Sequence, residues 1–125
     1  MSQDIVSDVL NEMRNAKRAK KNSIKTKRYS KVLIEILKVG KKEGFILDFK
    51  INEKEKELEI YFKFNECKAI KPRYEVGVDE IEKYMRRFLP SRNFGIIVIS
   101  TSKGLVTHKE ALEQNIGGSL IAYFY

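Results

Sequence analysis

Two stretches of alternating apolar residues constrain this chain more than any other feature. Phe45, Leu47, Phe49 and Ile51 recur at every second position, as do Leu58, Ile60, Phe62 and Phe64. Successive side chains of a strand point to opposite faces, so this period predicts two strands. The charged segment between them, residues 52–56, predicts the turn of an antiparallel hairpin. A helical period precedes the hairpin. Ile5, Val6, Val9, Leu10 and Met13 define one apolar face of a first helix. Val32, Leu33, Ile36 and Leu37 define a second, with Ser30 as its N-cap and Gly44 as its stop. Between the helices, residues 24–28 predict a short strand with Lys25 and Lys27 turned away from Ile24 and Thr26.

Beyond about Asn65 the pattern changes. Residues 67–76 read as extended chain interrupted by Pro72, which lacks a backbone N–H and suits an edge or bend. Asp79 and Glu82 resemble a capping box opening a third helix, in which Ile81, Tyr84, Met85, Phe88 and Leu89 follow the helical template and Pro90 marks the end. Residues 95–100 predict a buried strand, and Leu105 with Val106 a short one. Thr107 and Glu110 form another capping-box pattern, opening a brief helix to about Asn115 whose end Gly117 and Gly118 mark; residues 120–125 finish as strand. The expected architecture is α+β in two small lobes: an N-terminal α-β-α-β-β lobe over 1–64 and a mainly β C-terminal lobe with short helices over 65–125. Phe62, Phe64 and Phe88 sit on apolar stripes and are assigned to the core.

Composition then narrows the function classes. With 42% apolar and 34% charged residues in 125, there is enough material for a core beneath a heavily ionised surface, which excludes wholesale disorder. The net charge of +8 and pI near 9.5 fit a polyanionic partner. That charge is unevenly spread. Residues 13–34 contain no acid but hold Arg14, Lys17, Arg18, Lys20, Lys21, Lys25, Lys27, Arg28 and Lys31. If the first helix continues far enough, Arg14, Lys17, Arg18 and Lys21 share a face, which suits contact with phosphates better than an idle solvated surface. A membrane surface is the weaker partner, since neither a lipidation motif nor an exposed apolar stripe accompanies the charge. The apolar run 96–99 is far shorter than the roughly 20 residues that cross a bilayer, and Met1, Ser2, Gln3 and Asp4 lead into no signal-like segment. A soluble protein is expected. The single cysteine, Cys67, has no intramolecular disulfide partner and points to a reducing cytosol.

The segment Ser100-Thr101-Ser102-Lys103-Gly104 carries the richest local chemistry. Its three hydroxyls can donate to phosphate or accept from base edges and 2′-hydroxyls, Lys103 adds charge, and Gly104 permits close approach. The same composition also suits an ordinary hairpin turn. It is not a phosphate-cradling P-loop, because the first glycine of that motif is missing and Lys103 precedes Gly104. An enzyme working through Ser102, Lys103 and His108 is the competing class; His108, the only histidine, is expected at the exposed start of a short helix, which motivates catalysis weakly. Asp79, Glu80 and Glu82 read as helix-start capping. Tyr74, flanked by Lys71 and Arg73, is the aromatic best suited to stack on an unpaired base, or else to pack on a sheet.

Several of these segments together resemble the family of the eighth protein of the small ribosomal subunit. Ser100-Thr101-Ser102-Lys103-Gly104, continuing as Leu105-Val106-Thr107-His108-Lys109-Glu110-Ala111, is similar to that family's signature in order and spacing. So are Gly117-Gly118 before a hydrophobic strand, Met13-Arg14-Asn15-Ala16, and Lys42-Glu43-Gly44-Phe45-Ile46. The stretch from Arg87 through Leu89, Pro90, Ser91, Arg92 and Asn93 to Gly95 resembles the archaeal and eukaryotic branch, and an archaeal source is expected. The resemblance covers nearly the whole chain. It implies a two-lobed, non-enzymatic protein without cofactor, metal or small-molecule substrate, located in the cytoplasm within the ribosome. Its implied partners are an irregular helix in the central domain of small-subunit ribosomal RNA, bound early in assembly, and neighbouring small-subunit proteins.

The resemblance also implies that much of the recognition falls on Ser100, Thr101, Ser102 and Gly104. RNA contact is expected further at Lys103, Tyr74, Lys71, Arg73, Gly117 and Gly118, and at Arg14, Asn15, Lys17, Arg18, Lys21 and Lys31. Bacterial relatives repress their own messenger RNA, and the alternative reading is a general nucleic-acid-binding or translational regulatory protein outside the ribosome. Two departures stand out: Ser119 occupies a position where bacterial members commonly carry an acid, and the chain around 71–74 is shorter than the bacterial pattern.

Overall fold

The computed structural model describes residues 5–71, 73–91 and 94–125. The amino terminus from Met1 to Asp4, the bend expected at Pro72, and Arg92 and Asn93 lie outside the described residues. The fold is α+β, as the periodicities require, and divides into compact units Met1–Cys67 and Lys68–Tyr125.

The first unit runs α1 Ile5–Arg18, β1 Ser23–Thr26, α2 Lys31–Lys42, β2 Ile46–Asn52 and β3 Glu57–Phe62. Its antiparallel sheet has the order β1-β3-β2, so the expected hairpin is present and β1 adds along the far edge of β3. Val9, Leu10 and Met13 of α1 and Leu33, Ile36 and Leu37 of α2 are buried, as are Leu58 and Ile60 of β3. Each such aliphatic side chain taken from water contributes about 1.5–3 kcal/mol. Ser30 caps α2 by accepting the Leu33 N–H at 3.3 Å. Gly44, at φ +90°, ends it with the Phe45 N–H donating to the Gly40 carbonyl and the Gly44 N–H to that of Lys41, the paired bonds of a left-handed helix stop.

Two expectations in this unit need correction. Helix α1 stops at Arg18, so Lys21 lies beyond it: Lys20 adopts φ +62° while the Lys21 N–H bonds back to the Ala16 carbonyl and the Lys20 N–H to that of Lys17. In β2 the predicted alternation holds for Phe49 and Ile51, opposite Ile60 and Leu58, but fails at the start of the strand. A bulge at Leu47, between the Ile46–Phe62 and Asp48–Tyr61 pairs, buries Ile46 and leaves Leu47 52% exposed, because one extra residue reverses the facing of the chain before it.

The second unit comprises β4 Cys67–Ala69, β5 Glu75–Val76, a 3-10 turn over Val78–Glu80, α3 Ile81–Phe88, β6 Ile96–Thr101, β7 Gly104–Thr107, α4 His108–Gln114 and β8 Gly118–Phe124. Among the described residues its sheet has the order β4-β8-β6-β7, and β5 also pairs with β8. Ile81, Met85, Ile97, Ile99, Ala111 and Leu120 form the centre of its core. Leu89 leaves the helical region directly before Pro90, at φ −100° and ψ 145°, as the residue before a proline is driven to do.

The capping of α3 differs from the expected Asp79/Glu82 pair: the Glu80 carboxylate reaches back to accept the Gly77 N–H at 3.1 Å. The expected box on α4 is present, with the Glu110 N–H donating to Thr107 Oγ1 and the Thr107 N–H to Glu110 Oε1, both at 3.2 Å. Asn115, not the glycine pair, ends α4, at φ +56°. Phe88 is only partly buried, in a row of stacked rings with Tyr84 and Tyr123. The largest departure concerns His108, which is fully buried rather than exposed and accepts the Ile97 N–H on Nδ1 at 3.1 Å. Among the described residues, no helix is long and apolar enough to cross a membrane.

Candidate nucleic-acid interface

The β6–β7 connection begins as a hairpin turn. Thr101 pairs with Gly104 across it, and Thr101 Oγ1 both donates to the Gly104 carbonyl at 2.8 Å and accepts the Lys103 N–H at 3.1 Å. Gly104 stands at φ +105° with nothing near a side chain's first atom, so backbone conformation is what selects glycine there. The Thr101 hydroxyl therefore shapes the loop. Ser100 and Ser102, in contrast, have hydroxyls engaged by no protein group among the described residues, and Lys103 projects into solvent. The turn and the binding loop, opposed alternatives in the sequence, are compatible: Thr101 builds what Ser100 and Ser102 display.

Gly117 and Gly118 are required for close packing. A Cβ on Gly117 would lie 2.3 Å from the Val76 carbonyl oxygen, and one on Gly118 would lie 2.2 Å from that of Ser100. Their backbones thus lie flush against neighbouring strands, and one open cleft is lined by Glu75, Val76, Gly77, Ser100, Thr101, Ser102, Gly117, Gly118 and Ser119. Segments far apart in sequence converge here on a hydroxyl-rich floor of hydrogen-bonding capacity. Sequence reasoning singled out Ser100, Thr101, Ser102, Gly117 and Gly118 but missed Glu75, Val76, Gly77 and Ser119 as members.

Tyr74 stands nearby in sequence, but its ring is already occupied: it stacks on Tyr84 with centroids 5.5 Å apart, and the Arg87 guanidinium lies 5.5 Å from its centroid. Lys71 and Arg73 are exposed. The sites expected in the first unit are separate from this cleft in the chain. Arg14 forms a two-point ion pair with Glu66, Nε to Oε1 at 2.7 Å and Nη2 to Oε2 at 3.4 Å. Burial disfavours the Glu66 charge, yet the Arg14 hydrogen bond and charge and the Cys67 N–H outweigh it and hold the carboxyl below its usual range. Lys17 donates to the Asn65 carbonyl at 2.8 Å.

Arg28 pairs with Asp8 and Lys25 with Glu59, so acids from outside residues 13–34 partly relieve a charge that looked unrelieved in sequence. Arg18, Lys21, Lys27 and Lys31 remain exposed without an ion pair among the described residues. Asn15 and Lys21 come together in a shallow groove with Ser23 and Lys25.

Catalysis by His108 is not supported by this geometry. The ring has no solvent exposure, its Nδ1 is committed to Ile97, and burial together with the Lys109 charge lowers its pKa to about 4. Cys67 is likewise buried, and burial pushes its thiol far above the usual range, so it is not a ready nucleophile.

The family model for ribosomal protein S8 matches residues 4–125. The chain belongs to the ribosomal protein S8 family. It is 42% identical over 129 aligned positions to the small ribosomal subunit protein uS8 of Nanoarchaeum equitans, covering 100% of both chains. It is 39% identical over 126 positions to that of Methanococcoides burtonii, covering 98% of this chain and 97% of the other. Both relatives are archaeal, in keeping with the branch that the 87–95 segment resembles. As a member of the S8 family, the chain is a ribosomal protein and not an enzyme.

Proposed function

We propose that this S8 protein works as a structural constituent of the small ribosomal subunit, binding ribosomal RNA there and contacting neighbouring small-subunit proteins. Within that role, its C-terminal lobe, 65–125, recognises an irregular helix of the central domain and supports assembly. The observation that carries the site is the convergence of Ser100, Ser102, Gly117, Gly118 and Ser119 on one open cleft. Flush backbones let an RNA strand approach closely, and free hydroxyls offer both donors and acceptors to unpaired bases and 2′-hydroxyls. Thr101 and Gly104 hold the loop, Lys103 adds charge at its tip, and Lys71, Arg73 and Tyr74 flank it. In the first unit, Lys17, Arg18, Lys21 and Lys31 supply phosphate contacts, with Arg14 and Asn15 beside them; such contacts position the protein without reading sequence.

The test compares binding to a central-domain RNA fragment and to a shuffled fragment of equal length, each across a salt series. Wild type should prefer the authentic fragment even at high salt. Ser102→Ala should lose that preference with little change in salt slope, whereas Lys21→Ala should lower the slope by roughly one and weaken both RNAs alike. Equal binding of wild type to both fragments, lost together as salt rises, would leave a general nucleic-acid binder and overturn the site.

A further inference from the structure

The strand register aligns three polar residues that are remote in sequence. On β8, Ser119 stands directly opposite Glu75 of β5 on one side and Ser100 of β6 on the other. Residues opposite one another in a ladder project from the same face, with Cβ atoms about 4.5–5.5 Å apart. Glu75, Ser119 and Ser100 therefore form a cross-strand row about 10 Å wide. The neighbouring residues Val76, Leu120 and Ile99 belong to the core on the opposite face. All three members of the row line the open cleft. Among the described residues, no ion pair or hydrogen bond engages the Glu75 carboxylate, although the chain carries 25 Lys and Arg.

An unpaired carboxylate within a surface that binds a polyanion repels phosphate. It fits only a part of the RNA that offers donors. A carboxylate is acceptor-only, and the exocyclic amino groups of cytosine, adenine and guanine are donors on base edges.

We propose that Glu75 is a specificity-determining residue of the RNA site, accepting a hydrogen bond from an exocyclic base amino group laid along the row Glu75–Ser119–Ser100. This rests on the reading of the cleft as the RNA site. Ser119 offers only a hydroxyl, and Glu75 brings a carboxylate to the same face from the adjacent strand. The phosphate-binding cations then govern affinity for any RNA, and Glu75 penalises RNAs that present a phosphate or a bare acceptor at that point.

Glu75→Ala removes both the charge and the acceptor at an exposed position, so the fold should survive, which a urea melt verifies. By electrostatics alone the variant gains positive charge and should bind every RNA more tightly. The proposal gives the opposite sign for the authentic central-domain fragment, a loss of about tenfold, with the shuffled fragment unchanged or slightly tighter. Fragments lacking single exocyclic amino groups locate the partner: one deletion should weaken wild type about as much as Glu75→Ala does, and weaken the variant no further.

Tighter or unchanged binding of the authentic RNA by Glu75→Ala overturns the assignment, as does coupling to a 2′-deoxy substitution in place of any amino group. The two readings fail differently. Wild type without preference for the authentic RNA removes the site and Glu75 with it; a preference that survives Glu75→Ala removes Glu75 alone.

Discussion

His108 gives the fold an acid sensitivity whose size follows from its surroundings. The ring is fully buried on α4, Nδ1 accepts the Ile97 N–H, and Nε2 has no partner among the described residues. The neutral ring must carry its proton on Nε2, because Nδ1 is the acceptor. Protonating Nδ1 would set one donor against another and place a charge in the core beneath β6. Burial, reinforced by the Lys109 charge, accordingly lowers the folded pKa from 6.5 to about 4.

The unfolded chain binds a proton near pH 6.5 that the folded chain refuses until about 4, so stability is full above 6.5 and falls as pH drops through that window. Each pH unit inside it costs about 1.4 kcal/mol. Between pH 7 and 5 the loss should be about 2 kcal/mol, a large part of the stability of a small domain. The one histidine is the side chain whose ordinary pKa lies there; Glu66, held below its usual range, contributes only at lower pH, and Glu12, raised by burial, opposes the decline.

Urea unfolding at pH 7, 6 and 5 should show this decline for wild type. His108→Asn, whose amide oxygen can take over the bond to Ile97, should start less stable but lose little over the same interval. A flat wild-type profile, an equal decline in the variant, or an imidazole titrating near 6.5 by NMR in the folded protein would refute the reasoning.

The glycines separate two kinds of constraint. Gly118→Ala puts a methyl on the Ser100 carbonyl and should destabilise by about 3 kcal/mol in urea melts, whereas Gly104→Ala meets open space and should cost only about 1 kcal/mol for its positive φ; equal costs would contradict the close-packing account. Lys20 occupies the left-handed position that ends α1, so Lys20→Gly should raise stability by about 0.5–1 kcal/mol, and a lower urea midpoint would show that Lys20 is held by something beyond its backbone conformation.

Periodicity made the elements legible because it is a local property. The β2–β3 hairpin, the Ser30 cap and the Thr107/Glu110 box are each written within a few residues. What depended on insertion or register was hidden. The bulge at Leu47 reverses the start of β2 without a glycine or proline at that position to announce it. Helix α1 ends on a lysine, a residue that disfavours the left-handed conformation, so nothing in the composition separated Lys21 from the helix. His108 did leave a signal: with the helix start fixed at Thr107, His108 and Ala111 fall three apart on one face, and both are buried. The charge of residues 13–34 looked unrelieved because its acids, Asp8, Glu59 and Glu66, come from elsewhere in the chain.

The motif Ser100–Gly104 pointed to the proposed site, but much of the cleft around it comes from other strands. Thr101 uses its hydroxyl to close the turn, so the second residue of the motif shapes the loop. The displayed groups are Ser100 and Ser102, and Ser100 gains its neighbours Ser119 and Glu75 only when β8 pairs with both β6 and β5. That pairing in turn needs Gly117 and Gly118, whose missing side chains let the strands approach. If the cleft is the RNA site, a substitution at either glycine should therefore disturb RNA discrimination without removing any of the displayed hydroxyls, because the spacing between strands sets where they stand.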